Sequence, residues 1–177
     1  MSKRLSKRFL PGAVVLSVVI ALLAFAGCSQ VPTQSAPSPA PHLLKRSVSA
    51  MKILGDAAHV DTVLSAAEGG AVSLVDVELF FPPDALSSDT LISIDIPDIT
   101  VFENHFGTAG LQFNVPVKVV MSYRDADLSG INEPTITLAW YNDVTGEWWK
   151  IPCTLDVVNK TVTGYLNHFS AYALISD

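Results

Sequence analysis

Four aromatic side chains, Trp140, Tyr141, Trp148 and Trp149, flank Asn142-Asp143-Val144-Thr145-Gly146, whose residue types suit a hairpin turn. Rings facing one another across a hairpin pack together, or leave a face free to stack on a sugar ring or a partner's side chain. Successive strand residues point to opposite faces, so one of Trp148 and Trp149 belongs to the core and the other lies nearer solvent. These four are the candidate ligand-binding residues. A second pattern, Asp125-Ala126-Asp127-Leu128-Ser129-Gly130, sets oxygen atoms at alternate positions before a turn glycine, as the first half of a calcium loop does. Its twelfth position is Ile136, where a calcium loop needs a bidentate Glu, and Asx-type turn residues account for the same letters. Asp125, Asp127 and Ser129 are thus turn residues first and calcium ligands only in the alternative. Cys153 reads as a buried, inert thiol. No His/Cys cluster has zinc spacing, and neither a glycine-rich phosphate loop nor a nucleophile elbow is present, so no cofactor is expected.

The elements that must carry these side chains are short and β-rich. Runs at 72–74, 77–81, 91–96, 111–113, 117–123, 135–141, 147–151, 161–166 and 170–175 are dense in β-branched and aromatic residues. Turn residues separate them at nearly even spacing: Pro82-Pro83-Asp84, the 125–130 stretch, the 142–146 turn and Val158-Asn159-Lys160. That spacing predicts an all-β chain, an antiparallel sandwich of about seven to nine strands. Its core should include Val77, Leu79, Ile92, Ile94, Val119, Met121, Leu138, Trp140, Val162 and Phe169. The 45–68 stretch is a lead-in of uncertain form, in which Val48, Met51 and Ile53-Leu54 suit a strand. Within it, residues 57–67 are rich in alanine, with Val60, Val63 and Leu64 spaced for one helical face.

The N-terminus reads as an address. Lys3, Arg4, Lys7 and Arg8 precede an apolar run over 13–26, interrupted only by Ser17, then Gly27 and Cys28. A charged start, a short apolar core and small residues before a cleavage point make a secretory signal, too short for an ordinary spanning helix. Residues 29–42, SQVPTQSAPSPAPH, hold four prolines and almost no apolar side chain, which predicts an extended tether over 28–44. Four of the 11 basic residues precede Cys28 and all 17 acidic ones follow it, leaving seven against 17 and a net charge of −10 after cleavage. A surface that acidic repels phosphate backbones and excludes nucleic acid as a partner.

Two resemblances add to this reading. Phe25-Ala26-Gly27-Cys28 resembles the lipobox of bacterial lipoproteins, with Phe25 in place of the usual Leu. The resemblance implies that residues 1–27 are removed and that Cys28 is diacylated, giving a stable membrane anchor. Ser29, in place of Asp, implies the outer membrane if the host is Gram-negative. Further on, Gly69-Gly70-Ala71-Val72, Val77-Glu78-Leu79-Phe80-Phe81-Pro82-Pro83-Asp84-Ala85-Leu86 and Asn167-His168-Phe169-Ser170-Ala171-Tyr172 resemble the ZU-five domain. That β-sandwich occurs in ankyrins, netrin receptors and zonula-occludens proteins and on bacterial surface proteins; here it would span 69–177. The resemblance implies a binding or scaffold module. Some eukaryotic relatives cut themselves at this His-Phe-Ser tripeptide, which would here give Ser170 attack on the Phe169 carbonyl, with His168 taking the proton. Alternatively Phe169 is core, His168 satisfies backbone groups, and Ser170 and Tyr172 face outward.

The chain is thus expected to be a non-catalytic binding or scaffold lipoprotein, held extracytoplasmically at the bacterial cell envelope, with the membrane and an envelope protein or glycan as partners. A self-cleaving domain at Phe169-Ser170 and a carbohydrate-binding module are the alternatives.

Overall fold

A computed structural model describes residues 41–54 and 58–177. The signal, the lipobox with Cys28 and most of the tether lie outside the described residues.

Among the described residues twelve strands form two antiparallel sheets. In chain order, β1 (His42–Leu43) is followed by a short helix, α1 (Val48–Leu54), and then by β2 (Ala58–Leu64). Next come β3 (Gly70–Leu74), β4 (Val77–Phe81), β5 (Thr90–Ile96), β6 (Glu103–Gly107) and the long β7 (Gln112–Ser122). A 3-10 turn at Glu133–Thr135 leads into β8 (Thr137–Asn142), β9 (Glu147–Lys150), β10 (Cys153–Asp156), β11 (Thr161–His168) and β12 (Ala171–Ser176). The larger sheet runs β2-β5-β6-β12-β8-β9, with β1 also paired to β12; the smaller runs β10-β11-β7-β4-β3. Alternate residues of both sheets meet in one core, where Leu79, Ile92, Ile94, Val119, Met121, Leu138 and Val162 are fully enclosed. The all-β sandwich is therefore the fold, with more strands than the spacing suggested.

The lead-in is part of that sandwich, and its two halves exchange the roles expected of them. Residues 48–54 form the helix, with the Ser47 hydroxyl accepting the Ala50 N–H at 3.4 Å; residues 58–64 form a strand paired with β5 along its whole length, from Ala58↔Ile96 to Leu64↔Thr90. The helical face drawn through Val60, Val63 and Leu64 does not exist, because Val63 lies on the opposite side and is exposed while Leu64 is buried. Burial alternates instead with the period of two that a half-buried strand demands. The sandwich also begins before Gly69 and the tether ends before residue 44: β1 pairs with β12, and Leu44 sits in the core.

Arg46 locks this lead-in. Its guanidinium is buried, donates to Asp76 Oδ2 from Nε at 3.0 Å and from a terminal nitrogen at 2.7 Å, and also bonds the carbonyls of Ile99 and Val101. It lies over the Phe102 ring, 4.4 Å from the centroid. Burial raises the Asp76 carboxyl above its ordinary range, although the Arg46 charge pulls the other way.

The registers give the sandwich two distinct ends. At one lie His42, Ser176, the Val75-Asp76 turn and the 157–160 turn; at the other lie the 142–146 turn, the 107–111 loop and the crossing from β11 to β12. At this second end the chain after β4 turns through Pro82-Pro83, where Asp84 adopts a φ of 64° and donates its N–H to the Ala66 carbonyl at 2.8 Å. Gly69 is required beside it: its φ is 69°, and a Cβ there would stand 2.2 Å from the Phe81 carbonyl oxygen.

Candidate functional site

The crossing from one sheet to the other is pinned by Phe169. Its ring is buried and meets those of Phe113, Phe106 and Phe81 at centroid distances of 4.8, 5.9 and 6.0 Å. Its N–H donates to the Leu111 carbonyl at 2.9 Å, and its carbonyl accepts the Gly110 N–H at 3.2 Å. With Phe169 so fixed, His168 and Ser170 on either side are held at the rim rather than in the core.

Around that rim lies a groove of about 630 Å³, lined by Glu103, His105, Trp140, Tyr141, Asp143 and Trp148 together with the His168–Ala171 segment. Two patterns that are far apart in the sequence, the aromatic hairpin and the His-Phe-Ser tripeptide, thus share one site. The hairpin register sets Tyr141 opposite Trp148 and Trp140 opposite Trp149. Tyr141 and Trp148 form a tilted pair, 5.2 Å between centroids at 58°, while Trp149 meets Trp140 edge-on at 5.7 Å. Trp148 also packs on Ala139, Ala173 and Ile175, which are buried on the outer face of the larger sheet. Trp148 and Trp149 do point to opposite faces, but neither enters the main core: Trp148 is half-buried and Trp149 is 46% exposed. Trp140, expected in the core, is half-buried at its margin, with His168 against it at 5.1 Å.

The tripeptide's geometry is specific. The Ser170 hydroxyl donates to the Tyr141 carbonyl at 3.2 Å, and His168 Nδ1 lies 3.4 Å from the Phe169 carbonyl oxygen. No hydrogen bond joins His168 to Ser170, so attack on the Phe169 carbonyl would first require the hydroxyl to leave Tyr141. Tyr172, expected to face outward, is buried; its ring stacks on Phe106 at 5.5 Å and its hydroxyl donates to the His168 carbonyl at 2.8 Å. Phe169 and Ser170 lie between β11 and β12 and belong to neither, so the strand alternation that the outward assignment assumed does not run from Phe169 to Tyr172.

Three charged or titratable groove residues were not among the candidate site residues: Glu103, His105 and Asp143. The first two project from β6, where Phe102, Asn104 and Phe106 alternate inward; Glu103 Oε1 and His105 Nε2 are 2.8 Å apart. That alternation is visible in Phe102-Glu103-Asn104-His105-Phe106, but Asn and the flanking glycine are weak strand formers and hid it.

The calcium pattern lies at the opposite end. Asp127 Oδ1 accepts the Ser129 N–H at 3.0 Å in an Asx turn, and hydrogen bonds from Ser129 hold that carboxyl below its ordinary range. The Asp125 carbonyl accepts the Ser47 N–H at 2.8 Å. Among the described residues no group of three or more His, Cys, Asp or Glu side chains is placed to hold a metal ion. Cys153, expected to be buried, is half-buried and has no disulfide partner among the described residues; its sulfur lies 3.4 Å from the Leu138 nitrogen. Among the described residues no helix is long and apolar enough to cross a membrane.

No protein-family model matches the chain, and no curated protein sequence does either.

Proposed function

We propose that this protein is a non-catalytic binding module, tethered at the bacterial cell envelope through lipid on Cys28, and that the groove between the aromatic hairpin and the β11–β12 crossing is its binding surface. The observation that carries the reading is the convergence of Trp140, Tyr141, Trp148, Asp143, Glu103 and His105 on one open cavity of about 630 Å³. That is within the size range of ligand sites, and it mixes apolar walls with a few polar groups as such sites do. The resemblance to ZU-five modules and the lipobox-like Phe25-Ala26-Gly27-Cys28 support the same reading from the sequence. Binding without turnover is favoured by the Ser170 hydroxyl, whose hydrogen is committed to the Tyr141 carbonyl.

Detergent-phase partitioning of cells expressing the full chain tests the anchor. The wild-type protein should enter the detergent phase at a mass that includes the lipid and lacks residues 1–27. Cys28→Ala should carry no lipid and, once freed of the apolar signal, should stay in the aqueous phase. If the variant, checked by mass to be cleaved and lipid-free, partitions as the wild type does, lipid on Cys28 is not the anchor.

A further inference from the structure

The groove is built for a positive charge. Among the described residues its lining holds two carboxylates, Glu103 and Asp143, the imidazoles of His105 and His168, and three indole or phenol rings, and it contains no Lys, Arg, Asn or Gln. It therefore offers two carboxylate acceptors and electron-rich ring faces, and no cationic group to pair with a phosphate or a carboxylate. The tilt of 58° between Tyr141 and Trp148 matters here. Two coplanar rings would make a platform for a flat sugar face, whereas rings tilted in this way form an angled notch instead. A cation seated over an indole or phenol ring is attracted by the ring quadrupole, most strongly by Trp. Asp143 projects from the turn that joins the two ring-bearing strands, so a full negative charge stands beside the notch. Side-chain amides, which donate and accept together to neutral sugar hydroxyls, are missing from this lining.

Resting on the reading of the groove as the binding surface, the geometry points to a lysine or arginine side chain of a partner protein as its occupant, with the ammonium or guanidinium in the Tyr141–Trp148 notch opposite Asp143. Such a side chain has an apolar stem that lies along ring faces while its charged end reaches the carboxylates. The rest of the molecule favours the same occupant: seven basic against 17 acidic residues after Cys28 attract basic partners and repel anionic ones.

Titration of the full chain, followed by tryptophan fluorescence and calorimetry, decides it. The probes are the terminally blocked peptide Gly-Lys-Gly, the same peptide with its lysine acetylated, and the oligosaccharides chitotriose and its deacetylated, amine-bearing form. The lysine peptide should bind saturably at one site, and acetylation, which removes the charge while keeping the stem, should weaken it by about tenfold or more. Trp148→Leu and Asp143→Asn should each weaken the lysine peptide, with thermal unfolding checked to show that both variants fold. Equal binding of the acetylated peptide overturns the proposal. So does tighter binding of the amine-bearing sugar than of the peptide, which would keep the cation and change the partner class. Binding of chitotriose alone, lost in Trp148→Leu, would refute the cationic occupant while leaving the groove as a binding surface. Absence of saturable binding by every probe refutes the proposal, whereas the anchoring half of the function stands or falls separately with Cys28→Ala.

Discussion

Replacing Arg46 by Met tests whether the lead-in belongs to the sandwich as the structure has it. The change removes two bonds to Asp76 Oδ2, at 2.7 and 3.0 Å, the bonds to the Ile99 and Val101 carbonyls, and the cation over Phe102. What remains is a nearly enclosed carboxylate whose other oxygen, Oδ1, is buried and has no partner among the described residues. Stranding one member of a buried pair costs about 3–5 kcal/mol, most of it from the uncompensated charge. For a domain of this size that is a fall in Tm of roughly 10–20 °C. Arg46→Met/Asp76→Leu removes both charges and should recover most of the loss, since an apolar pair of similar volume can replace a buried ion pair at little cost. The pH dependence has a definite sign. Asp76 already titrates above its ordinary value, so the folded state holds a proton where the unfolded state has released it, and this contribution to stability falls as pH rises through that window. Without Arg46 the window extends upward, and Arg46→Met should regain stability on acidification relative to the wild type. Urea unfolding at pH 7.5 and pH 5 reads all three effects. A loss below about 1 kcal/mol in the single variant, or a double variant no more stable than the single, would refute the clamp.

Gly69→Ala forces a Cβ to 2.2 Å from the Phe81 carbonyl oxygen at a φ of 69° and should cost about 2 kcal/mol or more, seen as a lower urea midpoint with an unchanged slope. Tyr123→Phe deletes a buried hydroxyl's 2.8 Å bond to Glu133 and should cost about 1 kcal/mol in the same assay. Lys160 and Tyr123 hold the Glu133 carboxyl below its ordinary range, so the stability this provides is present above the ordinary value and lost as pH falls through the lowered one; Glu133→Gln should flatten the acid limb of the stability profile. Denaturing mass spectrometry after long incubation should show one uncut chain. A fragment beginning at Ser170 that disappears in Ser170→Ala would establish self-cleavage instead.

The sandwich was legible where strands combine β-branched residues with clean alternation, and illegible where chemistry and pairing diverge. Val77–Phe81 has the same bounds in sequence and structure because Val77, Leu79 and Phe81 all point inward. Residues 111–113 and 117–123 read as two strands because Pro116 interrupts them, yet β7 runs through. The proline falls beyond the last pairing with β4, at Phe80↔Lys118, and inside the irregular stretch of β7 between Val117, paired with Leu166, and Gln112, paired with His168. The exchange of helix and strand in the lead-in is of another kind: alanines at 57–67 favour a helix locally, and pairing with β5 overrides them. The site was half visible. The rings and the tripeptide were singled out separately, but only the crossing of the chain between sheets puts them on one rim, and no spacing rule encodes that meeting.

The placement of the two ends sets the path that a mechanical load would take. The described chain enters at His42, at the end of the sandwich remote from the groove, and pairs at once with the last strand through His42↔Ser176 and Leu43↔Ile175. If the chain is held by its N-terminal side while an occupant pulls at the groove, the tension runs along the strand axes. Ladder bonds lie perpendicular to that axis, so they are sheared together rather than peeled one by one. Two residue pairs are few, but Leu44 in the core and the Arg46–Asp76 clamp follow immediately in series. The resistance of the domain to a pull from this side is therefore concentrated in five residues, 42 to 46, and its lifetime under tension is set by how fast that short segment lets go.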